Sequence, residues 1–432
     1  MSETFFEALS RQVYAGLLRL LTPLYLLRLW RRGAAEPLYR QWLGERLGLY
    51  RAPASSSGWV WIHAVSLGET RAAAALIAAM REQSPGLRLL LTHGTATGRT
   101  AGLELLAPGD AQAWLPYDLP GAVRRFLRHW QPAVGVLIET EIWPNLQFEA
   151  ARIGLPMTLA NARLSARSER RGRRFAALLQ PAARRLKLVL AQTLLDAQRL
   201  RASGAPSPLV QGNLKFDLQV DAGLLAQGRR WHQLLQRKVL LAAVTREGEE
   251  ALLLQAWQAL PEAVRPLLLI VPRHPQRFDA VADLITLAGL NLARRSQWQD
   301  QPAEAALGAD VWLGDSMHEM SLYYGLADCA LLGGSFAPLG GQNLIEAAAC
   351  ACPVVMGPHT FNFAEAAELA VQAGAAIRVA DISAGLQQGL NLCRDPQRQS
   401  QMASAAESFA AEHRGAAARM AKQILGLLPA QG

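Results

Sequence analysis

The segment Ser66-Leu67-Gly68-Glu69-Thr70 follows directly on the apolar run GWVWIHAV (58–65). Gly68 permits a tight turn there, and a carboxylate in the first turn of the following helix is favoured in its charged form by the helix dipole. Glu69 is therefore a competent general base for a hydroxyl within hydrogen-bond reach, and equally a helix-capping acid. A second run ends in IETEIWPN (138–145), where Glu139 and Glu141 stand one residue apart. On an extended chain such residues point the same way, and two acids at a strand end need solvent or a cation. Pro144 then opens a helix at a position that tolerates proline. In GNLKFD (212–217) Lys215 offers a point charge for an anion.

The second half carries a different chemistry. VPRHPQRF (271–278) sets Arg273 and His274 at the end of an apolar run, and the planar guanidinium fork suits phosphate or carboxylate. GDSMHEM (314–320) opens a helix and brings Met317, His318 and Glu319 beside backbone N–H groups suited to anions. GGSFAPLGGQNLIEAAA (333–349) is the most specific stretch. Its glycines let backbone approach a ligand, while Asn343, Leu344, Ile345 and Glu346 begin the next helix. Glu346 is placed to bind ribose hydroxyls. The loop lacks G-x-x-x-x-G-K-[ST] and G-x-G-x-x-G, which argues against ATPase and dehydrogenase chemistry. D-x-D, ligand-spaced His or Cys pairs and G-x-S-x-G are also absent from the chain, so neither a metal centre nor a serine hydrolase is expected.

These segments need strands that end where the chemistry sits. GWVWIHAV (58–65), RLLLTH (88–93), VGVLIET (134–140), PMTLANA (156–162) and KLVLAQ (187–192) alternate with helix-length stretches such as 71–82 and 121–130. The rhythm pauses at 212–236 and resumes with KVLLAAV (238–244), PLLLIVPRH (266–274), VWLG (311–314), CALLGG (329–334) and PVVMG (353–357). Buried runs separated by helices predict parallel βαβ units. The fold expected is α/β, with doubly wound, Rossmann-like domains whose strand ends face a cleft. The expected divisions are an N-terminal helix at 1–33, a first domain at 34–215, a linker at 216–237 and a second domain at 238–432. The alanine-rich run 395–428 is expected to be helical and is a candidate to pack back on the first domain. No repeat of 20–50 residues interrupts this plan.

With 432 residues, 51% hydrophobic and 18% charged, the chain is too long for one ordinary core and too apolar for disorder. Its four cysteines, Cys329, Cys350, Cys352 and Cys393, lack C-x-x-C spacing, which points to a reducing compartment. The net charge of +9 leaves nucleic acid, an anionic membrane or an acidic substrate open. The run RLSARSERRGRR (163–174) holds six arginines, yet no aromatic interleaving or nucleic-acid signature accompanies it. Nucleic acid is therefore not expected as a partner. Residues 13–30, VYAGLLRLLTPLYLLRLW, are about one bilayer long but are interrupted by Arg19, Pro23 and Arg28. Each central arginine costs roughly 2.5–3.5 kcal/mol on insertion scales. Trp30 and Tyr25 with flanking arginines fit a helix lying at the headgroup level, or else a buried amphipathic helix of the first domain.

In order along the chain, IHAVSLGET, IETEIWPN, NARLS, GNLKFD, TREGEE, VPRHPQRF, GDSMHEM and GGQNLIE resemble the 3-deoxy-D-manno-octulosonic acid (Kdo) transferase family over roughly residues 10–425. That resemblance implies an inverting glycosyltransferase of GT-B fold in lipopolysaccharide synthesis, moving Kdo from CMP-Kdo to a glucosamine hydroxyl of a lipid A precursor. It implies Glu69 as proton acceptor, with Glu139 and Lys215 stabilising the transition state. CMP is then expected against Arg273, His274, Met317, His318, Glu319, Asn343, Leu344, Ile345 and Glu346. No cofactor or metal is expected, and the implied location is the cytoplasmic side of the inner membrane. Two positions depart from the family's pattern: His318 replaces a glycine and Val244 a serine. Another nucleotide-sugar enzyme of the same fold, a UDP-sugar transferase or epimerase, is the alternative.

Overall fold

The computed structural model describes residues 4–51, 57–217 and 220–429. The chain divides into two compact units. The first comprises Met1–Asp217 with Arg414–Gly432, and the second Leu218–His413.

The first unit is built on a parallel sheet of β1 (Trp59–His63), β2 (Leu89–His93), β3 (Ala111–Trp114), β4 (Pro132–Ile138), β5 (Met157–Ala162), β6 (Leu188–Ala191) and β7 (Leu209–Val210), in the order β3-β2-β1-β4-β5-β6-β7. Every residue of β1, β2 and β5 is buried, because helices cover both faces. The strand order reverses between β1 and β4, so the carboxyl ends of these two strands form the topological switch point where such sheets bind ligands.

The second unit repeats the plan with β8 (Val239–Thr245), β9 (Leu267–Pro272), β10 (Leu292–Arg294), β11 (Val311–Leu313), β12 (Cys329–Leu332), β13 (Val354–Met356) and β14 (Ala376–Arg378). Its order is β10-β11-β9-β8-β12-β13-β14, which places the switch point between β8 and β12.

Two expected boundaries are corrected. Residues 216–237 are not a linker throughout, since Ala222–Leu235 is a helix of the second unit packed on Met320–Leu326. The two helices meet backbone to backbone through one glycine on each, Gly228 and Gly325. A Cβ at Gly228 would stand 2.0 Å from the Leu322 carbonyl oxygen, and one at Gly325 would stand 2.5 Å from that of Leu225. The second boundary is at the far end of the chain. The run 395–428 breaks at Gly415, whose φ of +88° ends one helix (Pro396–His413) and starts another (Ala416–Leu425). The later helix belongs to the first unit, where Ala416, Met420 and Ile424 join the core formed by Ile62, Leu76 and Val136. Asp217 accepts the Gly415 and Ala417 N–H groups and so caps this returning helix.

Phe5–Arg32 is one continuous helix, started by a Thr4–Glu7 capping box and carrying Pro23 inside it. Among the described residues no helix is long and apolar enough to cross a membrane. Nor is this helix buried: Ala15 and Thr22 alone are covered, while Phe5, Phe6, Leu20, Leu24 and Trp30 are exposed.

Candidate active site

In the first unit the sequence candidates converge at the switch point. Ser66 caps the helix Leu67–Gln83 by accepting the Glu69 N–H, and Glu69 answers as an acid in the first turn. Its Oε2 accepts the Val65 N–H at 2.7 Å, and its Oε1 accepts the Ser66 hydroxyl at 3.0 Å. Capping and proton transfer are not exclusive here, because each carboxylate oxygen has a second lone pair. Burial raises the Glu69 pKa above the usual glutamate value; the Val65 and Ser66 hydrogen bonds oppose this, and the charge of Glu139 adds to it.

Glu139 follows the last residue of β4 and does not continue the strand. Its φ of +66° turns the chain, so the expectation that Glu139 and Glu141 project together from an extended segment is corrected. Left-handed non-glycine residues cost backbone energy and cluster at functional sites. Glu139 is only 7% exposed and faces Arg163, whose Nε lies 2.8 Å from its Oε2. Arg163 was legible only as part of NARLS and of an arginine run. Its pairing with the buried Glu139 sets it apart from that run, although its side chain is exposed like theirs, at 52%; Arg167, Arg170, Arg171 and Arg173 lie on the helix Ala166–Arg173, which buries no residue.

Lys215 lies in the same field. Burial lowers its pKa, the charge of Glu139 opposes the shift, and Arg163 reinforces it. Its segment is held by amides the sequence did not single out. Asn161, fully buried at the end of β5 with φ +52°, accepts the Leu214 N–H at 3.0 Å through Oδ1. Asn213 accepts the Lys215 N–H at 3.0 Å and donates to Gln192, which in turn donates to the Asn161 carbonyl. Three carboxylates and two cations thus interact electrostatically at the ends of β1, β4 and β5.

The third acid, Glu141, is pushed up to about 7 by burial, then by the charge of Glu69; a hydrogen bond with Trp143 opposes this and the charge of Glu139 adds to it. A carboxyl with a folded pKa above its unfolded value binds an extra proton in the native state across the interval between the two. Its contribution is favourable below about pH 4.5 and is lost as pH rises through about 7. Glu141→Gln should therefore gain thermal stability relative to the parent between pH 5 and 8. A melting-temperature difference that stays flat or falls over that range would contradict this placement.

In the second unit the switch point gathers TREGEE, VPRHPQRF and the glycine loop. Arg273 follows β9, with its N–H on the Thr245 carbonyl. His274 is exposed next to it; burial lowers its pKa, and so do the charges of Arg246, Arg273 and Arg277. These arginines form a cationic rim at the ends of β8 and β9. Both oxygens of Glu249 accept the Gly334 N–H, at 2.9 and 2.8 Å, tying the loop after β8 to the loop after β12. Val244 has φ +56° within an irregularity of β8, and a Cβ at Gly333 would lie 2.3 Å from its carbonyl oxygen. His318 has φ +64°. Both departures from the family pattern therefore occupy left-handed backbone, where glycine is the residue without a steric cost.

The remaining candidates differ in what they present. Met317 is 47% exposed. The Glu319 carboxylate is engaged by Arg295 at 2.8 Å and by the Ser316 hydroxyl. Asn343 caps the helix Leu344–Ala349 by accepting the Ile345 N–H. Leu344 and Ile345 are each 1% exposed, so their side chains are core and only their backbone can meet a ligand. Glu346 is half-buried on the same turn. Among the described residues no group of three or more His, Cys, Asp or Glu side chains could hold a metal ion.

Residues 41–218 match the family model described as 3-deoxy-D-manno-octulosonic-acid transferase (kdotransferase). The 3-deoxy-D-manno-octulosonic acid transferase of Bordetella pertussis is 46% identical over 424 residues, covering 95% of this chain and 98% of that one. The enzyme of the same name from Haemophilus influenzae is 34% identical over 95% of this chain and 97% of its own. Among solved structures, Anabaena HepE in complex with UDP aligns with a TM-score of 0.55 at 16% identity, over 86% of this chain and 100% of that chain. That likeness is one of fold, two parallel-sheet α/β domains of GT-B type. With almost its whole length matched to curated relatives at such identity, the chain belongs to the Kdo transferase family.

Proposed function

We propose that this Kdo transferase moves Kdo from CMP-Kdo to a glucosamine hydroxyl of a lipid A precursor by direct displacement, with inversion at the anomeric carbon. The observation that carries the reading is the half-buried Glu69 carboxylate, raised in pKa and set at a switch point beside Glu139, Arg163 and Lys215. Glu69 takes the proton of the acceptor hydroxyl as its oxygen attacks, and the anomeric C–O bond to CMP breaks. Glu139 and Lys215 stabilise the charge that develops. The second unit holds CMP: Arg273 and His274 at the phosphate, Asn343 and the Leu344 and Ile345 backbone behind them, Glu346 at the ribose, and the 317–319 turn alongside.

CMP departs as a monophosphate, so fixed cations and backbone N–H groups suffice where a diphosphate often needs a divalent ion. Turnover is expected to persist in EDTA; loss on chelation with recovery on adding Mg²⁺ would overturn the metal-free reading. The exposed Phe5–Arg32 helix and the arginines of Ala166–Arg173 support a location on the cytoplasmic face of the inner membrane. Each Lys or Arg near an anionic surface contributes about 1 kcal/mol, so several hold the protein there. Mass analysis of the product from CMP-Kdo and a tetraacylated precursor tests the whole proposal. An unmodified precursor, or equal turnover with UDP-sugars, would defeat it.

A further inference from the structure

Beside the carboxylate cluster the first unit contains a cavity of about 160 Å³ that the displacement itself does not use. Its lining includes Leu159, Leu164, Leu179, Ala183, Leu200 and Ala205, drawn from β5 and the helices Ala176–Ala183 and Leu194–Ala202 or the turns after them. Thr140 and Ile142 also line it, and in sequence they alternate with Glu139 and Glu141. Arg163 lines it as well as pairing with Glu139, so the cavity and the charge cluster share one wall. Protein interiors leave few voids of this kind, and a largely apolar one is space for an apolar ligand.

The surroundings indicate which ligand. The lining helix Ala176–Ala183 packs against Phe5–Arg32, the helix that exposes Phe5, Phe6, Leu20 and Leu24. Phe175, just before the lining Ala176, is 62% exposed. On the other side the lining Arg173 belongs to a helix bearing Arg167, Arg170 and Arg171. An aliphatic slot thus adjoins a helix packed on an apolar surface helix, a row of cations, and the Arg163–Glu139 pair. We propose that this cavity takes one acyl chain of the acceptor, with the acceptor's phosphate against the arginines of the helix Ala166–Arg173. The inference rests on the lipid A precursor reading and adds to it a binding determinant distinct from the reacting groups.

Gly172 supplies the test. It lines the cavity, its φ is not left-handed, and a Cβ placed there meets only the Leu179 Cδ1 at 3.7 Å. Gly172→Leu should fill the slot without backbone conflict. Each methylene denied burial, about 0.8 kcal/mol, corresponds to about fourfold in affinity. KM for a tetraacylated glucosamine disaccharide bisphosphate should rise more than tenfold, while kcat/KM for the fully deacylated disaccharide stays within about twofold of the parent. Ala176→Phe, from the next helix, should reproduce that split. Equal losses on both acceptors, or no loss on either, would overturn the proposal. If the parent glycosylates neither acceptor, the acceptor reading itself has failed. Binding of a fluorescent polyene fatty acid then decides the cavity: the parent binds and Gly172→Leu does not, whereas absence of binding by the parent sinks it.

Discussion

Glu69→Gln is expected to keep affinity for CMP-Kdo and lose about 10²–10⁴-fold in turnover, the range general-base catalysis contributes. The substitution is nearly isosteric but cannot accept a proton. It also disturbs the helix start, because an amide cannot replace both acceptors that now meet Val65 N–H and Ser66 Oγ. Ser66→Ala separates the two effects. It removes the cap that accepts the Glu69 N–H, at a cost of about 1 kcal/mol, while leaving the carboxylate in place. A base role predicts a large rate loss for Glu69→Gln and a small one for Ser66→Ala, with donor affinity by calorimetry unchanged in both. Comparable losses in the two variants would reassign Glu69 to capping alone. The acid limb of the pH–rate profile should lie above that of an ordinary glutamate, since burial raises the Glu69 carboxyl. Because Glu141, also raised, interacts with Glu69, the limb belongs to that pair of acids and not to one residue.

The sheets were legible in the sequence to different depths, for a physical reason. Central strands such as β1, β2, β5 and β9 are covered on both faces and read as unbroken apolar runs. The strands that escaped reading, β3, β7, β10 and β14, are the edges of the two sheets. Leu209 and Val210 in β7 are both exposed, and β14 ends in an exposed arginine. An edge strand of two to four residues with an open side carries no periodic signal. The site divides in the same way. Glu69, Glu139 and Lys215 stand in conspicuous motifs. Arg163 sat in a charge run that read as solvated surface, and Asn161 looked like any strand residue. What each does depends on β5 lying next to β4, a neighbour relation that local sequence does not encode. The His318 and Val244 departures were visible as unusual residues, but only the backbone dihedrals show that both occupy left-handed backbone, where the glycine expected at 318 would carry no steric cost.

Arg277→Leu should destabilise the second unit by about 3–5 kcal/mol, the cost of leaving one partner of a buried ion pair alone. Both guanidinium arms are engaged, at 2.6 and 2.9 Å from the two oxygens of Glu250, whose side chain is fully buried. The Thr245 hydroxyl also donates to that carboxylate, at 2.7 Å, but one neutral hydroxyl cannot compensate a charge out of water. Glu250→Leu should cost less, because Arg277 retains partial exposure and can turn to solvent. The double variant should recover part of the loss, since replacing a buried pair by apolar side chains is often close to neutral. A double-mutant cycle read from urea unfolding followed by tryptophan fluorescence isolates this coupling. Function should follow stability here. Thr245 ends β8 and Arg277 lies in the turn after β9, so the pair fixes the two loops that carry Arg246, Arg273 and His274. Arg277→Leu should therefore weaken CMP binding under native conditions, which Glu69→Gln should not. A loss below about 1 kcal/mol, or CMP affinity equal to the parent in a folded Arg277→Leu protein, would remove the pair from any role in holding the nucleotide loops.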